Sequence, residues 1–160
     1  MKKLNTVLFF LMVFVSINAQ GNNPIKWNYA VNKTGDCEAE LVFTANVDNG
    51  WHLYGQKHIN GLPLTFEFIP SETYKRIGEV TEPDCHKEYD DIMQYDIFYF
   101  KEQVVVFKQK ITLSSNTSFK ITGHIGGQAC QEDGVCIRLN HDFTFDIDIA
   151  GVECASIHTK

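Results

Sequence analysis

The feature of the sequence that most constrains its fold is a two-residue alternation of apolar and polar side chains. Such alternation places one face of a β-strand in a core and the other in water. Turn-forming residues such as Asp48-Asn49-Gly50 lie between the alternating runs. The pattern predicts an all-β fold, an immunoglobulin-like antiparallel β-sandwich. The apolar residues of the five runs are Trp27, Tyr29 and Val31; Leu41, Phe43, Ala45 and Val47; Leu64, Phe66 and Phe68; Val105, Phe107, Ile111 and Leu113; and Phe143, Phe145, Ile147 and Ile149.

Composition narrows the function classes. The chain has 160 residues, of which 44% are hydrophobic and 21% charged, as in a single globular domain. Its formal charge of −6 argues against a broad electrostatic surface for nucleic acid, so no nucleic-acid partner is expected. The size of the chain and the lack of a glycine-rich phosphate loop argue against the large nucleotide-binding enzyme folds.

The N-terminus has the three-part pattern of a secretory signal peptide. Lys2 and Lys3 precede the apolar run 7–15, and small and polar residues follow up to Ala19. The apolar run is far shorter than the roughly 20 residues that span a bilayer, so no membrane insertion of the chain's own is expected. Residues 1–19 are therefore predicted to be a signal peptide.

Export sets the expected organisation and compartment of the chain. We expect a folded domain at 20–150, a C-terminal tail at 151–160, and a periplasmic or secreted location, where disulfides persist. The tail contains Cys154, the natural candidate for an odd thiol, which would allow a dimer of an otherwise monomeric chain.

Five cysteines cannot all pair within one chain, and two of them are closely spaced. Cys130 and Cys136 flank an Asp133-Gly134 turn signal, which would place them near the two ends of a tight connection between neighbouring strands. Directly opposed antiparallel residues are close enough for a disulfide. Cys37 and Cys85 would either form a second bridge or both be free.

Spacing alone favours a structural role for the Cys130–Cys136 bond, because structural disulfides are common in exported proteins. The Cys130–Cys136 bond would nevertheless stabilise the fold less than a Cys37–Cys85 bridge would. The chain-entropy model gives about 2.4 kcal/mol for so short a loop, against about 4.1 kcal/mol for a Cys37–Cys85 bridge. An exposed short bridge would also be easier to reduce.

The longest segment without alternation is Glu82–Gln94, which is expected to be an irregular loop. A loop of this length in a compact β domain is usually functional or poorly ordered. Its apolar residues Tyr89, Ile92 and Met93 indicate that it packs onto the domain. It would then cover either a functional site or merely the open end of the sandwich.

These motifs together resemble the periplasmic N-terminal domain of DsbD, the thiol:disulfide interchange protein of the disulfide-bond corrector family. Cys130 and Cys136 match the Cys-x5-Cys pair of that family. Gly50-Trp51-His52-Leu53-Tyr54 matches its Gly-aromatic-x-Leu-Tyr string, and residues 86–93 resemble its cap loop. The resemblance runs from about Pro24 to Ile149.

The resemblance implies roles for particular residues. Cys136 would form mixed disulfides with partners, and Cys130 would resolve them. His52 and Tyr54 would lie beside the cysteines. The cap, which would open when a partner docks, would contain Asp91, Ile92 and Met93.

The resemblance also implies an activity, a dithiol–disulfide exchange of the protein-disulfide reductase type. Electrons would pass between thioredoxin-fold proteins, or arrive from a separate membrane electron donor, with no metal or organic cofactor. The rival hypothesis is an exported immunoglobulin-like binding module whose disulfide is purely structural.

Two further groupings are weaker. His124 and His141 could join Cys130 and Cys136 around zinc, but five residues between paired cysteines exceed the usual two to four. Cys85-His86 resembles a thiolate beside its base, although adjacent residues on an extended chain point apart.

Overall fold

The computed structural model describes residues 23–58, 60–92, 94–132, 134–149 and 154. In these residues the chain forms ten β-strands and no helix, and so no helix that could cross a membrane. The strands are β1 (Ile25–Gly35), β2 (Glu38–Val47), β3 (Trp51–Tyr54), β4 (Thr65–Phe68), β5 (Tyr74–Thr81), β6 (His86–Asp90), β7 (Tyr95–Phe100), β8 (Val104–Leu113), β9 (Phe119–Gln131) and β10 (Cys136–Ile147).

The strands form the two antiparallel sheets of a sandwich. The first sheet has the order β1-β2-β8-β5. The second has the order β10-β9-β3-β7-β6, and β4 pairs with β9 alongside β3. The prediction of an all-β, immunoglobulin-like sandwich is confirmed.

The core lies between the sheets and is rich in phenylalanine. Phe43 of β2 lies against Phe66 and Phe145, with ring centroids 4.9 Å apart in each pair and the rings steeply inclined. Offset and edge-to-face contacts of this kind add to the stabilisation from burial. The predicted alternation is visible here, because Leu41, Phe43 and Ala45 are all fully buried.

Two strands of the second sheet share one edge of β9. β4 pairs with the stretch that ends at Gly126, and β3 pairs with the stretch from Ala129 to Gln131. Between them, Gly127 has a φ of +150°, and a side chain there would press on the backbone of Leu64. The exchange of partners leaves β3 beside the end of β9 that carries Cys130.

The expectation of an irregular loop at Glu82–Gln94 was wrong. Most of it is a β-hairpin, in which β6 pairs with β7 and His86 lies opposite Tyr99. β6 is an edge strand, exposed on nearly all of its length. Because little of it is buried on either face, its sequence lacks the alternation that predicts a strand.

Candidate functional site

The Cys130–Cys136 disulfide joins the two strands at the open end of β9 and β10. The two residues are direct cross-strand partners, with Cα atoms 4.0 Å apart. The backbone N–H of Gln131 donates to the carbonyl oxygen of Val135 at 2.7 Å, so the cysteines occupy the neighbouring, non-hydrogen-bonded position of the ladder. Side chains approach most closely at such positions, and the local fold therefore brings the two sulfurs together.

The two cysteines differ in their exposure. Cys130 is only 2% exposed, because β3 covers its other side. Cys136 begins the edge strand β10 and is exposed to solvent. An incoming group from solvent can therefore approach the Cys136 side of the bond far more readily than the Cys130 side.

His52 lies beside the disulfide because three residues are successive partners across neighbouring strands. His52 on β3 lies opposite Cys130, which in turn lies opposite Cys136 on β10. Tyr54, two residues further along β3, projects from the same face and lies opposite Tyr99 of β7. The structure thus places His52 and Tyr54 beside the disulfide, and it adds Tyr99, which the sequence analysis did not single out.

The aromatic rings beside the disulfide contact one another. The His52 ring lies 4.7 Å from the Tyr99 ring and 5.4 Å from the Tyr54 ring, centroid to centroid. Tyr54 and Tyr99 are nearly fully buried and pack with Cys130 in a small cluster separate from the main core. This cluster forms the floor of the site.

A hydrogen bond ties the hairpin to this floor. The Tyr99 hydroxyl donates to Oε2 of Glu88 on β6 at 2.5 Å. This bond, which favours the ionised carboxylate, lowers the pKa of Glu88. Burial is the main cause that raises the pKa of Tyr99, and the Glu88 bond adds to the increase.

His52 has a pKa below its ordinary value. Burial disfavours the charged imidazolium and is the main cause. The carboxylates of Glu132 and Glu88 oppose the shift, and Lys101 reinforces it. His52 is therefore predominantly neutral at pH 7, with a ring nitrogen able to accept a proton.

A second histidine supports the floor from below. His58 is 1% exposed, and its ring lies 4.2 Å from that of Tyr54. Among the described residues its Nδ1 has no hydrogen-bond partner, and burial lowers its pKa. A Cβ at Gly61 would lie 2.5 Å from its Nε2, so the close approach of the loop requires glycine there. No pattern in the sequence marks His58, because it lies in the connection between β3 and β4.

These groups line an open cleft of about 940 Å³. The disulfide and both strands of the β6–β7 hairpin contribute to its lining. Its lining residues are Trp51, His52, Tyr54, His58, Asn60, Gly61, Glu88, Asp90, Tyr95, Ile97, Tyr99, Lys101, Gln128, Cys130, Gln131, Glu132, Gly134 and Cys136.

The structure does not bring the rest of the expected cap to the disulfide. Asp91 and Ile92 lie at the tip of the β6–β7 hairpin, and neither lines the cleft. The Ile92 side chain is 91% exposed. Met93 lies outside the described residues. The hairpin residues that do line the cleft are Glu88, Asp90, Tyr95, Ile97 and Tyr99, of which Asp90 and Tyr95 are the pair that flanks the turn.

A family profile described as "Thiol:disulfide interchange protein DsbD, N-terminal" matches residues 24–146. The chain belongs to this family. The match contains all of the described residues that line the cleft. No curated protein matches the chain in a search of full sequences.

The solved structures that match this member of the DsbD N-terminal family are distant from it in sequence. The N-terminal periplasmic domain of ScsB from Proteus mirabilis is 12% identical with a TM-score of 0.55, over 81% of this chain and 48% of that one. The reduced DsbD N-terminal domain of Neisseria meningitidis is 15% identical with a TM-score of 0.46, over 78% and 84% of the two chains. A complex of DsbD and PilB N-terminal domains from the same organism matches at 14% identity and a TM-score of 0.44, over 81% and 88%.

The pairing of the other cysteines differs from both arrangements that we considered. Cys37 bonds to Cys154, with Cα atoms 5.5 Å apart, and Cys85 is the free thiol. The expectation that Cys154 would be the odd cysteine was therefore wrong, and so was a dimer through it. Cys154 is 1% exposed, and its backbone N–H donates to Oδ1 of Asn116 at 2.8 Å, so it is part of the folded domain. The rest of the expected tail lies outside the described residues.

The described residues of this family member give no support to the zinc and hydrolase groupings. Nδ1 of His124 lies 2.9 Å from a carboxylate oxygen of Asp142, and Nε2 of His141 lies 2.7 Å from the Tyr29 hydroxyl. The described residues contain no group of three or more metal-ligating side chains. Burial is the main cause that raises the pKa of the Cys85 thiol, the opposite of what a nucleophile needs.

Proposed function

We propose that this chain is a periplasmic thiol–disulfide exchange domain that passes electrons between thioredoxin-like partners through Cys130 and Cys136. Membership of the DsbD N-terminal family supports exchange chemistry. The observation that carries the assignment to this pair is the unequal exposure of its two sulfurs within an open cleft. A purely structural disulfide needs no such cleft, whereas a disulfide that reacts with a partner protein must be accessible to it.

The reducing half-reaction begins at the exposed sulfur. A partner thiolate attacks Sγ of Cys136, the Cys136–Cys130 bond breaks, and the electron pair leaves on Sγ of Cys130. The product is a mixed disulfide between the partner and Cys136, with Cys130 reduced. A second partner thiol then displaces Cys136, which leaves the domain as a dithiol and the partner as a disulfide.

The oxidising half-reaction runs the same steps in reverse with another partner. The Cys136 thiolate attacks the disulfide of that partner, and Cys130 then attacks Sγ of Cys136 to expel the reduced partner. We infer that Cys136 is the residue that partners contact and that Cys130 resolves the mixed disulfide. Neither step needs a metal or an organic cofactor.

The β6–β7 hairpin is proposed to be the cap that a partner meets. Its two strands line the cleft as far as Asp90 and Tyr95, which flank the turn, and Ile92 in the turn is 91% exposed. A large apolar side chain as exposed as Ile92 is a natural contact for a docked protein. We therefore keep Asp91, Ile92 and Met93 as proposed contacts of the partner rather than as a shield over the sulfurs.

Trapping of the mixed disulfide tests the proposal. The oxidised partner is a thioredoxin whose first active-site cysteine is bonded to thionitrobenzoate and whose second is replaced by serine, so that it cannot reverse the exchange. In a Cys85→Ser background, Cys130→Ser leaves only the exposed Cys136 and should accumulate a covalent complex with the oxidised partner. Cys136→Ser leaves the buried Cys130 and should accumulate at least tenfold less, because a buried sulfur cannot be reached for in-line attack. The parent with both cysteines should transfer electrons without accumulating the complex.

A purely structural disulfide predicts a different outcome. Neither serine variant would then trap a partner, and the parent would not exchange electrons with it. Circular dichroism of each variant separates this result from a loss of fold. Such a result would favour the rival hypothesis of an immunoglobulin-like binding module.

A further inference from the structure

The buried position of Cys130 poses a chemical problem for the proposed exchange. When Cys130 resolves a mixed disulfide it must act as a thiolate, and when Cys136 is attacked it must leave as one. A thiolate at a site that is 2% exposed is disfavoured by desolvation. Glu132 and Glu88 line the same cleft and add negative charge. Some group must therefore remove and return the proton of Cys130.

We infer that His52 is the proton acceptor for Cys130. It lies directly opposite Cys130 in the sheet, and opposed side chains on one face have Cβ atoms about 4.5–5.5 Å apart. Both residues line the same cleft. This inference rests on the proposed function and assigns one step of it to a further residue.

The proton and electrons balance in the resolving step. The starting species is a mixed disulfide between Cys136 and a partner, with a protonated Cys130. His52 takes the proton from Sγ of Cys130 as this sulfur attacks Sγ of Cys136. The Cys130–Cys136 bond forms, the bond from Cys136 to the partner breaks, and its electron pair leaves on the partner sulfur. The dithiol is thereby oxidised, the partner is reduced, and His52 later releases the proton to water.

The other groups around His52 are poorer proton acceptors for Cys130 than His52 is. The pKa of Tyr54 and that of Tyr99 are raised, so both phenols stay protonated near neutral pH. The Glu88 carboxylate is hydrogen-bonded to Tyr99 and its pKa is lowered, which makes it a weaker base.

The remaining neighbours are less suited as the base. The ammonium group of a lysine such as Lys101 has no lone pair to accept a proton, and a carboxylate such as that of Glu132 is ordinarily a weaker base than a neutral imidazole. His86 contacts Tyr99 from the far strand of the hairpin, and so lies further from Cys130 than His52 does.

The rate at which Cys130 attacks a mixed disulfide at Cys136 can be measured with the uncharged reagent 2,2′-dithiodipyridine on the reduced chain. All variants carry Cys85→Ser, and mass spectrometry verifies that Cys37–Cys154 stays closed. Excess reagent labels Cys136 and releases one pyridine-2-thione. Attack by Cys130 then releases a second one, and the rate constant of this second phase is followed against pH. The variants are His52→Gln and His52→Phe, with His124→Gln as a matched control away from the cleft.

The parent and His124→Gln should show a second phase that is nearly independent of pH between about 7 and about 9, because the base is already neutral there. Both His52 variants should instead gain about tenfold in rate per pH unit over that range and be about 10²-fold slower at pH 7. A merely structural role of His52 would lower the rate without changing this slope.

Equal slopes in the parent and in the His52 variants overturn the inference, and so does a flat profile that is lost in His86→Gln but kept in the His52 variants. A parent rate that rises tenfold per pH unit throughout overturns it too, even if neither His52 variant folds. These results leave the exchange function intact. Failure of the parent to release a second pyridine-2-thione overturns the exchange function itself.

Discussion

At the scale of single residues, the site depends on contacts that cross strands of one sheet. The disulfide, His52 and Tyr99 come from four different strands, yet the register places them side by side. The sequence predicted the pairing of Cys130 with Cys136, because it needs only a turn between them. It did not single out Tyr99 or His58, because nothing in the local pattern shows what lies opposite them in the folded sheet.

The Tyr99–Glu88 hydrogen bond gives a prediction at this scale. Tyr99→Phe removes the donor, so the pKa of Glu88 should rise toward its ordinary value, as measured by carboxyl NMR titration. A carboxyl group whose pKa is lower in the folded state than in the unfolded state stabilises the fold at pH values above the unfolded-state pKa. This stabilisation is lost as the pH falls through the folded-state pKa. Acid should therefore destabilise Tyr99→Phe less steeply than the parent.

The matched control is Tyr89→Phe on the neighbouring strand, because Tyr89 is more than half exposed. It should leave the Glu88 titration unchanged. A Glu88 pKa that is the same in Tyr99→Phe and in the parent would contradict the assigned cause.

At the scale of elements, the alternating runs predicted five of the strands, including β2 and β8, and missed others, including β3, β6 and the 13-residue β9. β2 and β8 lie in the middle of a sheet and bury every second residue, and their sequences therefore show a clear apolar–polar alternation. β6 and β3 are short, and β6 is an exposed edge. Strand formation there comes from pairing with β7 and β9, which the local sequence does not encode.

The connection between β3 and β4 gives a second prediction. Gly61→Ala would place a methyl group 2.5 Å from Nε2 of the buried His58, so the ring must move and disturb Tyr54. We expect a loss of about 1–3 kcal/mol in the free energy of unfolding, measured with urea.

Gly35→Ala serves as the comparison, because its nearest contact would be an ordinary 3.6 Å. It should change stability by about 0.5 kcal/mol or less. Equal stability of Gly61→Ala and Gly35→Ala would show that the loop does not hold His58 as described.

At the scale of the whole molecule, two disulfides lie at opposite ends of the sandwich. Cys154 lies by Asn116, just before β9 begins, whereas Cys130 lies at the far end of that 13-residue strand. Their sulfur partners could not all be predicted from sequence. Cys37 and Cys154 are 117 positions apart, and only the assembled fold shows that they meet.

The Cys37–Cys154 bond should contribute more to the free energy of unfolding than the Cys130–Cys136 bond does. The chain-entropy model gives about 4.9 kcal/mol for so long a loop. The double variant Cys37→Ser/Cys154→Ser should therefore lose about 2–5 kcal/mol of unfolding free energy. Cys130→Ser/Cys136→Ser should lose about 2.4 kcal/mol or less. Urea denaturation of both checks the order, and a larger loss in the second variant would contradict it.

The most direct test of the central claim is the reduction potential of Cys130–Cys136. The chain without residues 1–19 is equilibrated in graded thiol–disulfide buffers, alkylated and mapped by mass, while circular dichroism follows the fold. We predict that Cys130–Cys136 opens above about −250 mV, with the fold and Cys37–Cys154 intact. A bond that stays closed until well below about −300 mV, or whose reduction unfolds the domain, would contradict a role in electron transfer.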